Sequence, residues 1–248
     1  MTYPKKKTCL KFAALGAVLI AVILACALYL GNYYHADLDA INEFSRDFSV
    51  HRRYQQDNLL IFQPENPKYG LIFYPGGKVE HTAYIPLMEA LASDGILCVL
   101  VEMPFRLAVL DMSAADRIQA RFPEIAHWYL GGHSLGGAMA ASYISGHTEE
   151  YEGLILLAAY ATEDLSHTSL QVLSVYGSED RVMDPEKYAK NLANLPSGLT
   201  EMVLDGGCHA YFGMYGPQEG DGTPTITNRE QILLTAQVIT NLIYNGNH

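Results

Sequence analysis

An α/β fold, a mostly parallel sheet flanked by helices on both faces, is what this sequence predicts for everything beyond its N-terminal segment. Three observations lead there. Apolar runs of strand length recur along the chain and alternate with longer amphipathic stretches. The breaks between them carry Pro, Gly and Asn, the residues that end regular structure. A length of 248 residues with 49% apolar side chains is enough for one large core plus a short appendage.

At the N-terminus, Lys5, Lys6, Lys7 and Lys11 precede an uncharged run from Phe12 to Leu30. As a helix rising about 1.5 Å per residue, that run approaches the roughly 30 Å of a bilayer core. The expectation is a basic segment over 1–11 and a membrane-spanning signal anchor over 12–30. Lysines before the span and none soon after it predict a cytoplasmic N-terminus, with the rest of the chain on the outer side of the cell membrane. A cleaved signal peptide competes, but its apolar region is usually only about 7–15 residues. Lipidation at Cys26, in "ILAC", is a third reading, and the apolar "ALYL" that follows weighs against it.

Residues 31–57, beginning "GNYYHADLDAINEF", read as a connector with the first elements of a folded domain that occupies 58–248. "LLIF" (59–62) and "GLIFY" (70–74) predict strands separated by the "PENPK" turn. "TAYIPLMEALASDG" predicts a helix ended by Gly95, "ILCVLVEMP" a buried strand, and "SAADRIQARF" a helix. The cycle then repeats: strand "HWYLGG", a helix from about Leu135 to Ile144, strands "GLILLAAY" and "LQVLSVYG", helix "PEKYAKNLANL", strand "TEMVLD" and a closing helix over "NREQILLTAQVITNLIY". The connector "ATEDLSHTS" is too short for a helical cap, so no sizeable lid is expected.

Charge and cysteine usage exclude some functions. There are 16 Lys and Arg against 27 Asp and Glu, and four of the basic residues precede the apolar run. The outer domain is therefore strongly acidic, which argues against nucleic acid as a partner. Cys9, Cys26, Cys98 and Cys208 are scattered with no C-x-x-C pair, so neither a metal site nor a disulfide framework is expected, and no cofactor is called for. The oligomeric state is not legible.

"GGHSLGG", Gly131 to Gly137, places a serine among four glycines at the junction of strand "HWYLGG" and the following helix. Gly132-His133-Ser134-Leu135-Gly136 fits G-x-S-x-G, a sharp turn that exposes a nucleophile and needs small neighbours. A serine hydroxyl is a weak nucleophile at neutral pH and requires a base, which in turn requires an acid to orient it. The candidate base is His209 in "LDGGCHAYFG", directly after the last predicted strand. His133, inside the turn, is expected to point its ring away. The candidate acid is Asp180 in "VLSVYGSEDRVMDP", also just past a strand end, with Glu179 and Asp184 as rivals; helix capping before Pro185 accounts for Asp184. Donors for an oxyanion are expected from the N–H of Leu135 and from "YPGGKVE", with Gly77 first and Lys78 next.

With these motifs in place, the chain from about Tyr69 to Tyr244 resembles the α/β-hydrolase superfamily with triad order Ser, Asp, His. It is more narrowly similar to a small bacterial membrane-anchored branch of the fold-5 type. The stretches that carry the likeness are "FYPGGKVE", "MPFRLAVLD", "GGHSLGG", "YGSEDRV" and "GGCHAYFGMYGPQEGDG" with "REQ" after it. The resemblance implies an α/β-hydrolase fold and triad chemistry on Ser134, Asp180 and His209. Tyr-Pro-Gly-Gly stands where many esterases have His-Gly-Gly-Gly, so the choice between Gly77 and Lys78 stays open. The expected activity is hydrolysis of small carboxylic esters through an acyl-enzyme, with short acyl groups preferred. A peptidase, thioesterase or acyltransferase would share the same intermediate, and a recognition domain without catalysis is the reading from another class.

Overall fold

The structure, a computed structural model, describes residues 5–245. Residues 1–4 of the expected basic segment and residues 246–248 lie outside the described residues. The chain divides into two compact units that meet between Tyr33 and Tyr34. Among its described residues the first holds one helix, α1 (Lys5–Gly31), whose stretch from Ala14 to Gly31 is long and apolar enough to cross a membrane. A signal sequence would meet the same description.

The second unit is built on eight strands: β1 (Arg52–Gln56), β2 (Leu59–Gln63), β3 (Tyr69–Tyr74), β4 (Ile96–Val101), β5 (His127–His133), β6 (Gly153–Leu157), β7 (Gln171–Gly177) and β8 (Thr200–Leu204). They form one sheet in the order β1-β2-β4-β3-β5-β6-β7-β8. The run from β4 to β8 is parallel, and β1 and β2 add an antiparallel edge. Side chains of successive strand residues leave opposite faces. Leu71 and Phe73 accordingly enter one core with α3 (Ile85–Ser93) and α6 (Asn228–Asn245), while Ile72 and Tyr74 enter a second core with α4 (Leu135–Ile144). From β3 the chain crosses to β4 on one side and then to β5 on the other. That reversal opens a crevice beyond the carboxyl ends of β3 and β5, where ligands bind on such sheets.

Three local features go beyond the sequence reading, and the last corrects it. The stretch read as a connector with the first elements of the domain holds a helix that the sequence did not delimit, α2 (Leu38–Ser45), capped by Asp37, whose carboxylate accepts the Ala40 N–H at 3.1 Å. Ile41 and Phe44 of α2 are buried. At about 1.5–3 kcal/mol for each buried apolar side chain, packing rather than propensity holds so short a helix. Strand β1, "RRYQQ", escapes sequence detection because it is a polar, exposed sheet edge with no apolar alternation. The third feature is "SAADRIQARF", which forms short 3₁₀ turns at Met112–Arg117 and Gln119–Arg121 instead of an α-helix. The Tyr74 hydroxyl donates to the Met112 carbonyl at 2.8 Å and accepts the Ala115 N–H at 3.0 Å, taking groups that an α-helical ladder would use.

Candidate active site

Ser134 follows the last residue of β5 and precedes the first of α4, with φ 52° and ψ −120°. For a residue with a Cβ this left-handed φ stores strain, and such strain clusters at functional turns. The Ser134 N–H donates to the Leu157 carbonyl at 2.9 Å, which fastens the turn to β6. Two glycines make the turn sterically feasible. A Cβ on Gly132 would sit 2.5 Å from the Gly136 carbonyl carbon, and one on Gly136 would sit 2.1 Å from the Tyr74 oxygen. The small neighbours expected around the serine are therefore required by backbone packing.

His209 and Asp180 reach the same place from the loops after β8 and β7. His209 is buried, and its Nδ1 lies 2.8 Å from Asp180 Oδ2. The second carboxylate oxygen of Asp180 accepts the N–H groups of Val182 and Met183, both at 2.9 Å. Asp180 is thus held by two loop amides with one oxygen aimed at the imidazole. With Asp180 accepting from Nδ1–H, Nε2 is left as the proton acceptor. The buried Nε2 makes no hydrogen bond, so the Ser134–His209 bond is not closed in this conformation. Such bonds often tighten only with substrate in place. The rivals are engaged elsewhere: Glu179 pairs with Arg181 at 3.2 Å, and Asp184 caps α5 (Pro185–Asn191) through the Glu186 and Lys187 N–H groups.

The loop after β3 lies against the start of α4. A Cβ on Gly77 would be 2.9 Å from Leu135 Cδ2, so Gly77 and Leu135 are in close approach. The Gly76 N–H donates to Tyr84 Oη at 3.0 Å and the Lys78 N–H to the Arg106 carbonyl at 2.8 Å. Between them, Gly77 N–H has no protein acceptor among the described residues. As the first residue of α4, Leu135 has an N–H without an intrahelical acceptor.

The profile of the alpha/beta hydrolase family matches residues 70–233. The chain belongs to this family. No curated protein matches it closely enough to be compared. A solved structure similar to this chain is that of TT1662 from Thermus thermophilus, 18% identical, with a TM-score of 0.59 over 79% of this chain and 98% of that one. At that identity the likeness speaks to the fold alone.

A cleft of about 440 Å³ opens in the second unit beside Ser134, Leu135 and His209. Its walls include Met139, Ala159, Tyr160 and Val182, and Lys187 stands at its edge in an ion pair with Asp184 at 3.3 Å. No helix covers it from the β6–β7 connection, which is irregular throughout. Among the described residues no group of three or more His, Cys, Asp or Glu is placed to hold a metal ion.

Sequence reasoning misplaced one histidine and missed one tyrosine. The His133 ring does not turn away: its centroid lies 4.6 Å from that of His209. Burial, and next the neighbouring His209, push its imidazole well below the usual histidine range, so it stays neutral. Tyr84 is fully buried; its hydroxyl accepts the Gly76 N–H at 3.0 Å and shares a hydrogen bond with His133 Nδ1 at 2.7 Å. The signal for Tyr84 in the sequence is slight, one aromatic residue at the start of a helix.

Proposed function

We propose that this chain is a serine hydrolase working through an acyl-enzyme, with short-chain carboxylic esters as substrates. The observation that carries the reading is the Asp180–His209 pair, with a free imidazole nitrogen at the cleft that Ser134 lines. In this reading Ser134 Oγ attacks the acyl carbonyl while His209 Nε2 takes its proton. Asp180 accepts the Nδ1–H bond, fixing the tautomer and stabilising the imidazolium that forms. The tetrahedral oxygen is received by the N–H groups of Gly77 and Leu135, two preorganised donors. Gly77 is preferred over Lys78 because the Lys78 N–H is already committed to Arg106. The proton then passes from His209 to the leaving alcohol, and water releases the acyl group by the same route. The helix over 12–30 serves as an uncleaved single-pass anchor, with the catalytic domain on the outer face of the cell membrane.

The test is labelling of the full chain, in detergent micelles, by a fluorophosphonate probe. Wild type labels and Ser134→Ala does not. A folded wild-type protein that fails to label would leave a recognition domain as the better reading.

A further inference from the structure

The segment "QEGDG", part of the longest motif in the C-terminal third, is not consumed by the triad or the oxyanion donors. Its Asp221 sends one carboxylate into the loops that carry the base and the acid. Oδ1 accepts the N–H of His209 at 3.2 Å, of Gly222 at 2.8 Å and of Arg181 at 3.4 Å. Oδ2 accepts the N–H of Ala210 at 2.8 Å. Among its donors are the backbone of His209 itself and of the residue directly after Asp180.

Such fixation has a physical reason. His209 leaves β8, the last strand of the sheet, whose first four residues are exposed and which has no neighbour on its far side. Upstream, the acid and base loops are joined by the Glu179 N–H to the Gly207 carbonyl, at 2.8 Å. That bond lies before both reacting residues and does not fix the backbone of either. Charge-assisted bonds from a carboxylate to backbone N–H groups are about twice as strong as neutral ones. Gly222 allows the approach, because a Cβ there would be 2.0 Å from the Glu179 carbonyl oxygen.

We propose that Asp221 is a positioning residue of the catalytic pair, setting the backbone of His209 and of the Asp180 loop from a third segment, beside the hold of Gln231 on the Cys208 N–H and carbonyl at 2.9 and 2.7 Å, so that the imidazole stays aligned with Ser134. The proposal rests on the triad reading above. It predicts that Asp221→Ala lowers kcat on p-nitrophenyl acetate by about 10²-fold with KM little changed, since displacing a catalytic group by about 1 Å costs that much. Asp221→Asn keeps the shape but turns an amide toward N–H donors, and about a 10-fold loss is expected.

The measurement uses the full chain in detergent micelles, with fluorophosphonate labelling rate and melting temperature recorded for each variant. The deciding comparison is a double-mutant cycle: Asp221→Asn combined with His209→Ala is expected to be no slower than His209→Ala alone. An equal fold-loss in both backgrounds would overturn the inference. So would a lowered melting temperature with wild-type labelling rate and kcat per folded molecule, because Asp221 would then only stabilise the fold. If Asp221→Ala does not fold, the isosteric Asp221→Asn carries the test. Wild-type turnover by His209→Ala or Ser134→Ala would instead overturn the triad reading.

Discussion

His133 lies with its ring centroid 4.6 Å from that of His209, and both rings are buried. His133 is neutral in the folded chain because burial and His209 disfavour its charge. Unfolded, it would titrate near the ordinary histidine value of about 6.5. Below that pH the unfolded chain binds the additional proton, so stability is present above about pH 6.5 and is lost as pH falls toward the depressed folded value, at up to about 1.4 kcal/mol per pH unit. His133→Gln should therefore show a shallower loss of unfolding free energy between about pH 6.5 and 5. Urea titrations at stepped pH check this, and identical slopes for the two proteins would refute it.

Asp180, not its neighbours, is expected to carry the acid role. Asp180→Asn should keep the fold and lower kcat by roughly 10⁴-fold, because the imidazole would adopt the wrong tautomer. Glu179→Gln removes the charge from a solvent-side pair with Arg181, leaves an oxygen for the Ser178 hydroxyl, and should stay within about twofold of wild type. Steady-state kinetics on the two variants decide it, and the reverse ranking would move the acid to Glu179.

Tyr84 is expected to matter for stability through one oxygen. Tyr84→Phe leaves the Gly76 N–H and His133 Nδ1 buried without their partner. Orphaning a buried polar group costs about 1–3 kcal/mol. For a domain of this size that corresponds to a drop in melting temperature of at least about 2–4 °C. Calorimetry in micelles reads it, and an unchanged melting temperature would show that water replaces the hydroxyl.

Acyl-chain preference follows from the uncovered cleft. Each methylene left unburied forgoes about 0.8 kcal/mol of binding. Values of kcat/KM should therefore be higher on acetyl to butyryl esters than on decanoyl or longer ones, with no rate jump at the substrate's aggregation threshold. A monotonic rise with chain length, or activation by a lipid surface, would point to membrane lipids as substrates.

If α1 is an uncleaved anchor, protease added to intact cells should release the second unit while the N-terminal lysines remain with the membrane fraction. A mature N-terminus near Ala36 would establish cleavage, and a diacylglyceryl group on Cys26 would establish lipidation.

Much of the domain is legible in the sequence because strand and helix periods are local. The runs that become β2 to β8 stand out as apolar segments bounded by turn residues, and Ser134 announces itself because its turn has room only for glycine two residues to either side, at Gly132 and Gly136. Polar edge strand β1 and eight-residue α2 are hidden, since one has no apolar period and the other exists through Ile41 and Phe44 in a distant core. What only the tertiary structure decided are the pairings between segments remote in the chain. Tyr74 captures Met112 and Ala115 and prevents a helix, Arg106 takes the Lys78 N–H, and Asp221 reaches His209. Asp180, Glu179 and Asp184 are chemically alike, and only the meeting of the β7 and β8 loops brings Asp180 to the imidazole while the other two find partners nearby. Hydrogen-bond partners are chosen by the geometry of packing, which no local pattern encodes.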